Sequence, residues 1–361
     1  MLHWRLQMDT KLRIGILGCG PISQAAHIEA CRKGRNVELY ALCDAAEDLL
    51  SEMTLVHKPK FSYQRYEDML ANEDIDAVIV ATNDYFHVPA AIQALRAGKH
   101  VLVEKPLGTS LEECLELEQA VIETGLILQV GNMKRFDGGI MAAREFIQTE
   151  MGELLALKAW YCDNVGRYTV TDNVMPIIVH SASTIRPPFD HKADKQRYYL
   201  LAHGSHLVDT ARFLGGEIVS IHAHHTERFG AHNWLATVEF ASGSFGQLDL
   251  TIGVRMDWHE GFQVYGEYGS VVGKTYNPWL FKSSDVEIYS VRDEQFRRPL
   301  AIDGHFYRRQ VEGFADAILE NKPVHGATVE DGVAAVRALI AISQSVKTGE
   351  PVRLKDVQGE V

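Results

Sequence analysis

Two histidines and a carboxylate are spaced three residues apart at the start of a helical pattern over residues 204–214, the first of them just before it. They are His203, His206 and Asp209. Residues three apart lie on one face of a helix, and an imidazole, whose pKa is near neutrality, is suited to accept an alcohol proton. Two histidines and a carboxylate also suit a metal ion or a simple polar face. We predict acid–base chemistry at His206 and no metal.

A lysine follows a short apolar run, residues 100–103, in the sequence Glu104-Lys105-Pro106. The run predicts a strand of a parallel sheet, and ligands bind such sheets at the carboxyl ends of their strands. An ammonium group there can donate to a hydroxyl oxygen and stabilise the negative charge that develops on it. A lysine at a strand end is more often a solvated surface charge, but the context favours Lys105 as a catalytic residue beside His206.

A glycine-rich turn lies between a predicted strand, residues 12–17, and a predicted helix, residues 21–33. Its spacing, G-x-G-x-x-S, is a variant of the dinucleotide fingerprint, in which glycines permit a tight turn and the helix N-terminus attracts a diphosphate. Asp44 ends the next predicted strand, where a carboxylate would bind both ribose hydroxyls and repel a 2′-phosphate. The predicted cofactor is therefore NAD, bound by Gly18, Gly20, Pro21, Ile22 and Asp44.

These residues need an alternating framework, and the first 130 residues have one. The predicted strands are 12–17, 37–43, 77–81, 100–103 and 126–130, and the predicted helices are 21–33, 45–55, 89–97 and one that opens at the capping box of Ser110 and Glu113. Strands that alternate with helices predict a doubly wound parallel sheet. We therefore assign residues 1–132 to an NAD-binding Rossmann domain.

After about residue 150 short strands follow one another more closely. The predicted strands are 154–162, 218–224, 235–240, 246–252 and 262–265, and the predicted helices are 204–214, 306–320 and 330–347. This pattern predicts an α/β domain, residues 133–361, with a mainly antiparallel open sheet and C-terminal helices able to pack back on the first domain. Residues 169–197 have no clear period, which suits a lid or binding loop as well as a surface insertion.

Composition limits the partners and the compartment. The 361 residues carry a formal net charge of -12, which disfavours nucleic acid. Five cysteines without a CxxC pair favour a reduced compartment. No run of signal-peptide type or of membrane-spanning length occurs. We expect a cytoplasmic protein with neither nucleic-acid nor membrane partners.

Several motifs resemble those of the glucose–fructose oxidoreductase and inositol dehydrogenase (Gfo/Idh/MocA) family. They are Gly18 with Gly20, residues 81–89 (ATNDYFHVP), 97–101 (AGKHV), 104–106 (EKP), 130–137 (VGNMKRFD) and 204–209 (GSHLVD). The likeness covers nearly the whole chain. It implies oxidation of a secondary hydroxyl on a carbohydrate or cyclitol, and a homodimer or homotetramer formed through the open sheet.

The resemblance also implies the remaining site residues. On the cofactor side they are Thr82, Asn83, His87, Glu104 and Lys105. On the substrate side they are Lys134, Arg135, His203 and Asp209, and Asn164 is added because it follows a predicted strand of the second domain.

This chain departs from the family pattern at two places. Asn83-Asp84 follows Thr82 where Pro-Asn is common, and Ala202 stands where many members carry an Asp four residues before the catalytic histidine. The orientation and basicity of His206 must therefore come from elsewhere, and His203 is a partial replacement.

Together the residues and the resemblance predict an NAD-dependent dehydrogenase of a sugar, sugar acid or inositol. His206 would accept the hydroxyl proton while Lys105 stabilises the same oxygen. Two alternatives remain open: a glycosidase that uses NAD for transient oxidation and elimination, and a non-catalytic NAD-binding sensor.

Overall fold

The computed structural model describes residues 11–164, 176–190, 192–300 and 305–361. These residues form two sheets, one in each half of the chain, with helices packed on both. The α/β class expected from the sequence is confirmed. No helix within the described ranges is long and apolar enough to cross a membrane.

The N-terminal sheet has six parallel strands in the order β3-β2-β1-β4-β5-β6. Its strands are β1 (Leu12–Leu17), β2 (Val37–Cys43), β3 (Phe61–Tyr63), β4 (Ala77–Val80), β5 (His100–Val103) and β6 (Leu128–Val130). Its helices are α1 (Ile28–Lys33), α2 (Glu47–His57), α3 (Tyr66–Leu70), α4 (His87–Arg96) and α5 (Leu111–Thr124). All four residues of β4 are buried, as expected for a strand covered on both faces. The strand order reverses between β1 and β4, where ligands bind in such sheets.

The C-terminal sheet has nine strands in the order β14-β13-β12-β11-β7-β10-β9-β8-β15, and only the β7–β10 pair is parallel. The strands are β7 (Leu154–Asn164), β8 (Ile218–Arg228), β9 (Ala231–Phe240), β10 (Phe245–Val254), β11 (His259–Gly266), β12 (Gly269–Thr275), β13 (Asp285–Ser290), β14 (Gln295–Arg297) and β15 (Val352–Arg353). The helices are α6 (Gly138–Thr149), α7 (Lys195–Tyr199), α8 (Ser205–Gly215), α9 (Phe306–Leu319) and α10 (Val329–Thr348).

One face of this large sheet packs on helices and the other is open. The alternation of β9 and β10 buries Trp234 and Leu250 inward, whereas Leu235 and Phe245 on the other face are 42% and 56% exposed. An open face with exposed apolar side chains is the surface on which the sequence placed subunit contacts.

The C-terminal helices pack against the first sheet as well as the second. Phe306, Val311 and Phe314 of α9 share a core with residues of β1. Further along, the amide of Val130 in β6 donates to the carbonyl oxygen of Ala327, just before α10. The two halves are therefore joined by more than the linker, and the division at residues 132/133 stays a prediction.

Candidate active site

The glycine turn after β1 is tightly packed at Gly18 and open at Gly20. Gly18 has a φ of +94°, and a Cβ there would lie 2.7 Å from the carbonyl oxygen of Ala81. A Cβ on Gly20 would meet no atom within 4 Å, so the backbone there borders open space. Buried Ser23, at the third fingerprint position, donates to the Gly18 carbonyl at 2.5 Å. The turn fits a diphosphate, and Pro21 and Ile22 begin the helical turn that follows.

Asp44 lies beside this turn at the end of β2. Its carboxylate accepts from the amide of Cys19 at 2.7 Å and from the amide of Ala46 at 2.9 Å. Both oxygens are thereby fixed at the edge of the glycine turn, and each keeps a lone pair for a ligand. This is the position from which a carboxylate would hold ribose hydroxyls.

A buried histidine, His27, contacts the side chain of Glu104. The sequence did not identify this residue. The Nε2 of His27, which ends a π-helical turn over Ser23–His27, lies 2.8 Å from Glu104 Oε1. Burial acts to raise the pKa of Glu104, but the hydrogen bond and charge of His27, together with the charge and amide of Lys105, lower it below its usual value. The other oxygen accepts from the amide of Lys105 at 3.1 Å. Glu104 therefore holds the backbone of the lysine loop.

His87 joins the two loops that follow β4 and β5. Its ring nitrogens lie 2.8 Å from the Pro106 carbonyl oxygen and 3.2 Å from the Thr82 carbonyl oxygen. The ring is only 2% exposed. Next to Thr82, the side chain of Asn83 accepts from the amide of Tyr85 at 3.2 Å. His87 thus fixes the relative position of the loops, and Thr82 and Asn83 stand at their rim.

Lys105 reaches from the first domain to the helix that carries the histidines. Its Nζ donates to the carbonyl oxygen of Ala202 at 2.9 Å, within a π-helical turn over Leu200–Gly204 that leads into α8. Such turns frequently occur at functional sites. Burial lowers the pKa of Lys105; the charge of Glu104 opposes this shift and that of Lys134 adds to it.

His206 lies at the start of α8, four residues after the carbonyl that Lys105 binds. Its ring is parallel to that of Tyr161, with 5.9 Å between the ring centres and 3° between the planes. Burial and the positive charges of Lys105 and Lys134 hold the pKa of His206 well below its usual range. The imidazole is therefore neutral near pH 7 and able to accept a proton. The two predicted catalytic residues therefore lie at the same helical run, and the charge of Lys105 acts on His206.

A polar network surrounds His203, the residue next to Ala202. His203 Nδ1 lies 3.2 Å from the Tyr161 hydroxyl and 3.8 Å from Asp163 Oδ2. Asn164 ends β7 next to Asp163, which accepts from its amide at 2.8 Å. The network connects His203 to the same tyrosine on which His206 stacks.

Two predicted substrate ligands form an ion pair with each other. Arg135 donates to Asp209 at 2.7 Å and to Asp331 at 2.7 Å. The Arg135 and Asp209 side chains are 7% and 3% exposed. Asp209 therefore faces Arg135, not the two histidines. In the described parts of the chain, no group of three or more possible ligands is arranged to hold a metal ion.

Lys134 forms a second buried pair, with Glu260 of β11. Trp258 Nε1 donates to the other Glu260 oxygen at 3.2 Å. Burial lowers the pKa of Lys134 and raises that of Glu260, while their attraction opposes both shifts. The sequence analysis missed Glu260, although the alternation of β11 places it inward with Phe262 and Val264.

Part of the aperiodic segment, residues 169–197, contacts Gln24 beside the glycine turn. The amide and carbonyl of Val179 both bond to the side chain of Gln24, at 2.8 and 2.9 Å, and Gln24 also donates to the Cys19 carbonyl in the glycine turn. Farther along, Phe189 packs edge-on against Tyr85. These contacts favour a binding loop over an unrelated insertion; residues 169–175 and 191 lie outside the described ranges.

Comparison with known proteins agrees with this architecture. Residues 12–132 match the family described as "Oxidoreductase family, NAD-binding Rossmann fold", and residues 192–354 match its "C-terminal alpha/beta domain". The chain is 29% identical to "Inositol 2-dehydrogenase 2" of Saccharopolyspora erythraea over 94% of each sequence. It is 27% identical to "scyllo-inositol 2-dehydrogenase (NAD(+))" of Bacillus subtilis, over 96% of this chain and 97% of the relative.

Among solved structures, levoglucosan dehydrogenase in complex with NADH and L-sorbose has a TM-score of 0.78 at 20% identity, over 96% of this chain and 100% of that one. At this identity the match supports the fold alone. The two family matches together cover well over half of the sequence. The chain is therefore a member of the Gfo/Idh/MocA oxidoreductase family.

Proposed function

We propose that this oxidoreductase is an NAD-dependent dehydrogenase that oxidises a secondary hydroxyl of a sugar or polyol. The observation that carries the proposal is the bond from Lys105 to the helical run that carries His206. The lysine binds the Ala202 carbonyl oxygen at 2.9 Å, four residues before the histidine on the same helical run. An ammonium and a neutral imidazole at the ligand-binding edge of a Rossmann sheet are the groups that alcohol oxidation needs.

In this proposal the chain's own residues handle the proton and the oxygen. His206 accepts the hydroxyl proton at the imidazole, which its lowered pKa keeps neutral. Lys105 donates a hydrogen bond to the same oxygen as negative charge develops on it. A bound nicotinamide ring would supply the hydride acceptor.

The cofactor side is proposed to be specific for NAD. Support comes from the position of Asp44, whose carboxylate is fixed beside the glycine turn by Cys19 and Ala46. A 2′-phosphate would meet this negative charge. Gly18, Gly20, Pro21, Ile22, Thr82 and Asn83 would border the dinucleotide, and His87 and Glu104 would hold the loops behind it.

On the substrate side, His203 and Asn164 are proposed to bind hydroxyl groups beside Lys105. Lys134 would lie at the buried end of the substrate site. Because Arg135 and Asp209 are bonded to each other, we propose that they hold the frame of the site and do not touch the substrate. Relatives named as inositol dehydrogenases support a polyol substrate.

We also propose that the open face of the large sheet joins two or four copies of the chain. Besides Leu235 and Phe245, this face exposes Val272 and Phe296, at 42% and 69%. Apolar patches of this kind mark subunit contacts. A monomer at micromolar concentration in light scattering would refute the assembly without touching the proposed activity.

An NADH absorbance screen over monosaccharides, inositols and glycosides tests the activity. Net NADH formation with a free sugar or polyol is expected, and His206→Asn should lower turnover by about 100-fold or more. Cleavage of a glycoside without net NADH would instead support transient oxidation. Tight NADH binding with no turnover of any substrate would support a sensor.

A further inference from the structure

The basic residues that follow β6 do not offer free positive charge to a substrate. Lys134 is paired with Glu260, and both side chains are buried, at 6% and 4% exposure. Arg135 is paired with Asp209 and Asp331. A cation and a carboxylate in direct contact and away from water largely cancel each other's field. Neither Lys134 nor Arg135 is therefore available as the partner of a substrate anion.

The surroundings of Glu260 hold it beside Lys134. It points inward from β11 beside Phe262, and one of its oxygens accepts from Trp258 Nε1 at 3.2 Å while the other binds Lys134. The other carboxylate of the same hairpin, Glu267, is exposed in the turn and bonds to the Tyr268 hydroxyl instead of a buried cation. Burying a carboxylate at an inward-facing strand position costs free energy unless the carboxylate is paired. The pairing with Lys134 offsets this cost, and the pair is a candidate for a functional role.

The pair lies next to the reacting groups. The ammonium of Lys134 lies 4.6 Å from the centre of the Tyr161 ring, and His206 stacks on that same ring. Trp258, which holds Glu260, packs edge-on against Tyr161 at 5.0 Å. A change in the charge of the pair would therefore be felt where the substrate must sit.

Two further charged groups among the described residues lie at this place, Asp163 and Lys105. The Asp163 side chain is 19% exposed and lies 3.8 Å from His203. Lys105 is directed to the Ala202 carbonyl and, in the proposed reaction, to the reacting oxygen. A substrate carboxylate or phosphate would lose its hydration here, close to Asp163, with Lys134 already neutralised.

From this arrangement we infer that Glu260 determines specificity: by neutralising Lys134 it makes the site accept uncharged sugars or polyols and reject sugar acids and sugar phosphates. The inference rests on the proposed dehydrogenase function and removes one of the three substrate types that the sequence left open.

The test measures binding first, so that it does not depend on turnover. The full chain saturated with NADH is titrated calorimetrically with matched pairs, glucose with glucuronate and galactose with galacturonate, and with inositols. The uncharged member should bind about 10-fold or more tightly than its acid. Equal or tighter binding of the acids, or binding of no uncharged compound, overturns the inference. Uncharged ligands that bind without forming NADH from NAD would refute the dehydrogenase function and leave the inference standing.

Glu260→Gln tests the residue itself, because it keeps the shape and an acceptor for Trp258 but frees the ammonium of Lys134. The ratio of acid to uncharged affinity should rise about 10-fold or more. The matched control Glu267→Gln makes the same charge change in the exposed hairpin turn and should leave the ratio unchanged. If the single variant does not fold, Lys134→Met combined with Glu260→Gln removes both charges and should keep the preference for uncharged ligands. An unchanged ratio in a folded Glu260→Gln variant, or a preference for acids in the double variant, overturns the role of Glu260.

Discussion

The ammonium of Lys105 and the carbonyl oxygen of Ala202 are 2.9 Å apart, although 97 residues separate them in the chain. The lysine comes from the end of β5, and the carbonyl comes from the π-helical turn that leads into α8. This bond holds the lysine against the helical run that carries His206. The main-chain carbonyl of Ala202 therefore takes part in orienting the lysine.

Removing the ammonium should abolish most of the activity. Lys105→Met is expected to lower kcat by about 100-fold or more, because it removes the donor that stabilises the developing oxyanion. NADH binding, followed by fluorescence, should change far less than kcat. Lys347→Met, an exposed position in the last turn of α10, is the matched control and should retain full turnover. Near-normal kcat in Lys105→Met would exclude the lysine from the reaction.

The acid limb of the pH profile should report His206. Its pKa is held below the usual value near 6.5, so the base stays neutral and kcat/KM stays high down to a pH below 6.5 before protonation removes activity. His206 is faced by the charges of Lys105, Lys134 and His203. Lys134→Met removes one of these positive charges and leaves the carboxylate of Glu260 without its partner, so the charge near His206 becomes more negative and the midpoint of the acid limb should move to higher pH. A limb at unchanged pH in that variant would contradict the electrostatic cause.

On the alkaline side of the pH profile, activity should be lost by deprotonation of Lys105. Burial and the charge of Lys134 lower the pKa of Lys105, whose useful form is the charged one. Activity should therefore fall at a pH below the usual lysine value near 10.4, as the ammonium loses its proton. In Lys105→Arg, which keeps its charge at all accessible pH values, any residual activity should lack this limb.

Coenzyme choice should depend on Asp44. Asp44→Ser removes the carboxylate that would repel a 2′-phosphate, so the ratio of NADPH to NADH affinity should rise by about 10-fold. Dissociation constants of both reduced coenzymes measure this ratio. Asp68→Ser, an exposed position on α3, controls for the loss of one negative charge. Wild-type protein that binds NADPH at least as tightly as NADH would refute the prediction.

The buried Arg135 network should matter more for stability than for chemistry. Arg135→Met leaves Asp209 buried without its partner, at an expected cost of about 3–5 kcal/mol in the free energy of unfolding. Arg65→Met, whose side chain is 72% exposed, should change stability by less than about 1 kcal/mol. Urea denaturation compares the two.

The same network predicts how that cost varies with pH. Burial acts to raise the pKa of Asp331, but the charge and hydrogen bond of Arg135, together with the Thr328 amide and the charge of Arg212, lower it below its usual value. A lowered carboxylate pKa stabilises the fold above the unfolded-state value, near 3.9, and this contribution is lost as the pH falls through the folded-state value. The difference between wild type and Arg135→Met should therefore narrow in acid. A constant difference would show that the ion pair is not its source.

Local signals in the sequence determined the elements that carry the site. The apolar runs gave β1, β2 and β5 with their correct ends, and the capping box of Ser110 and Glu113 begins α5 as expected. The strands missed were β3 and β12 to β15. Several of these are short, and others contain glycine or charged residues, so their pairing depends on neighbours and leaves little local pattern.

What the sequence by itself determined was the fold class, the family and the residue types at the ends of the strands, because strand and helix periods and the glycine turn are local properties. What only the tertiary structure decided was which charged groups meet. Glu260 lies 126 residues from Lys134, and His27 lies 77 residues from Glu104. Arg135 and Asp209, which the sequence placed on the substrate, face each other instead. Such pairings depend on packing across sheets and helices, and they set the burial and the charge on which the chemistry depends.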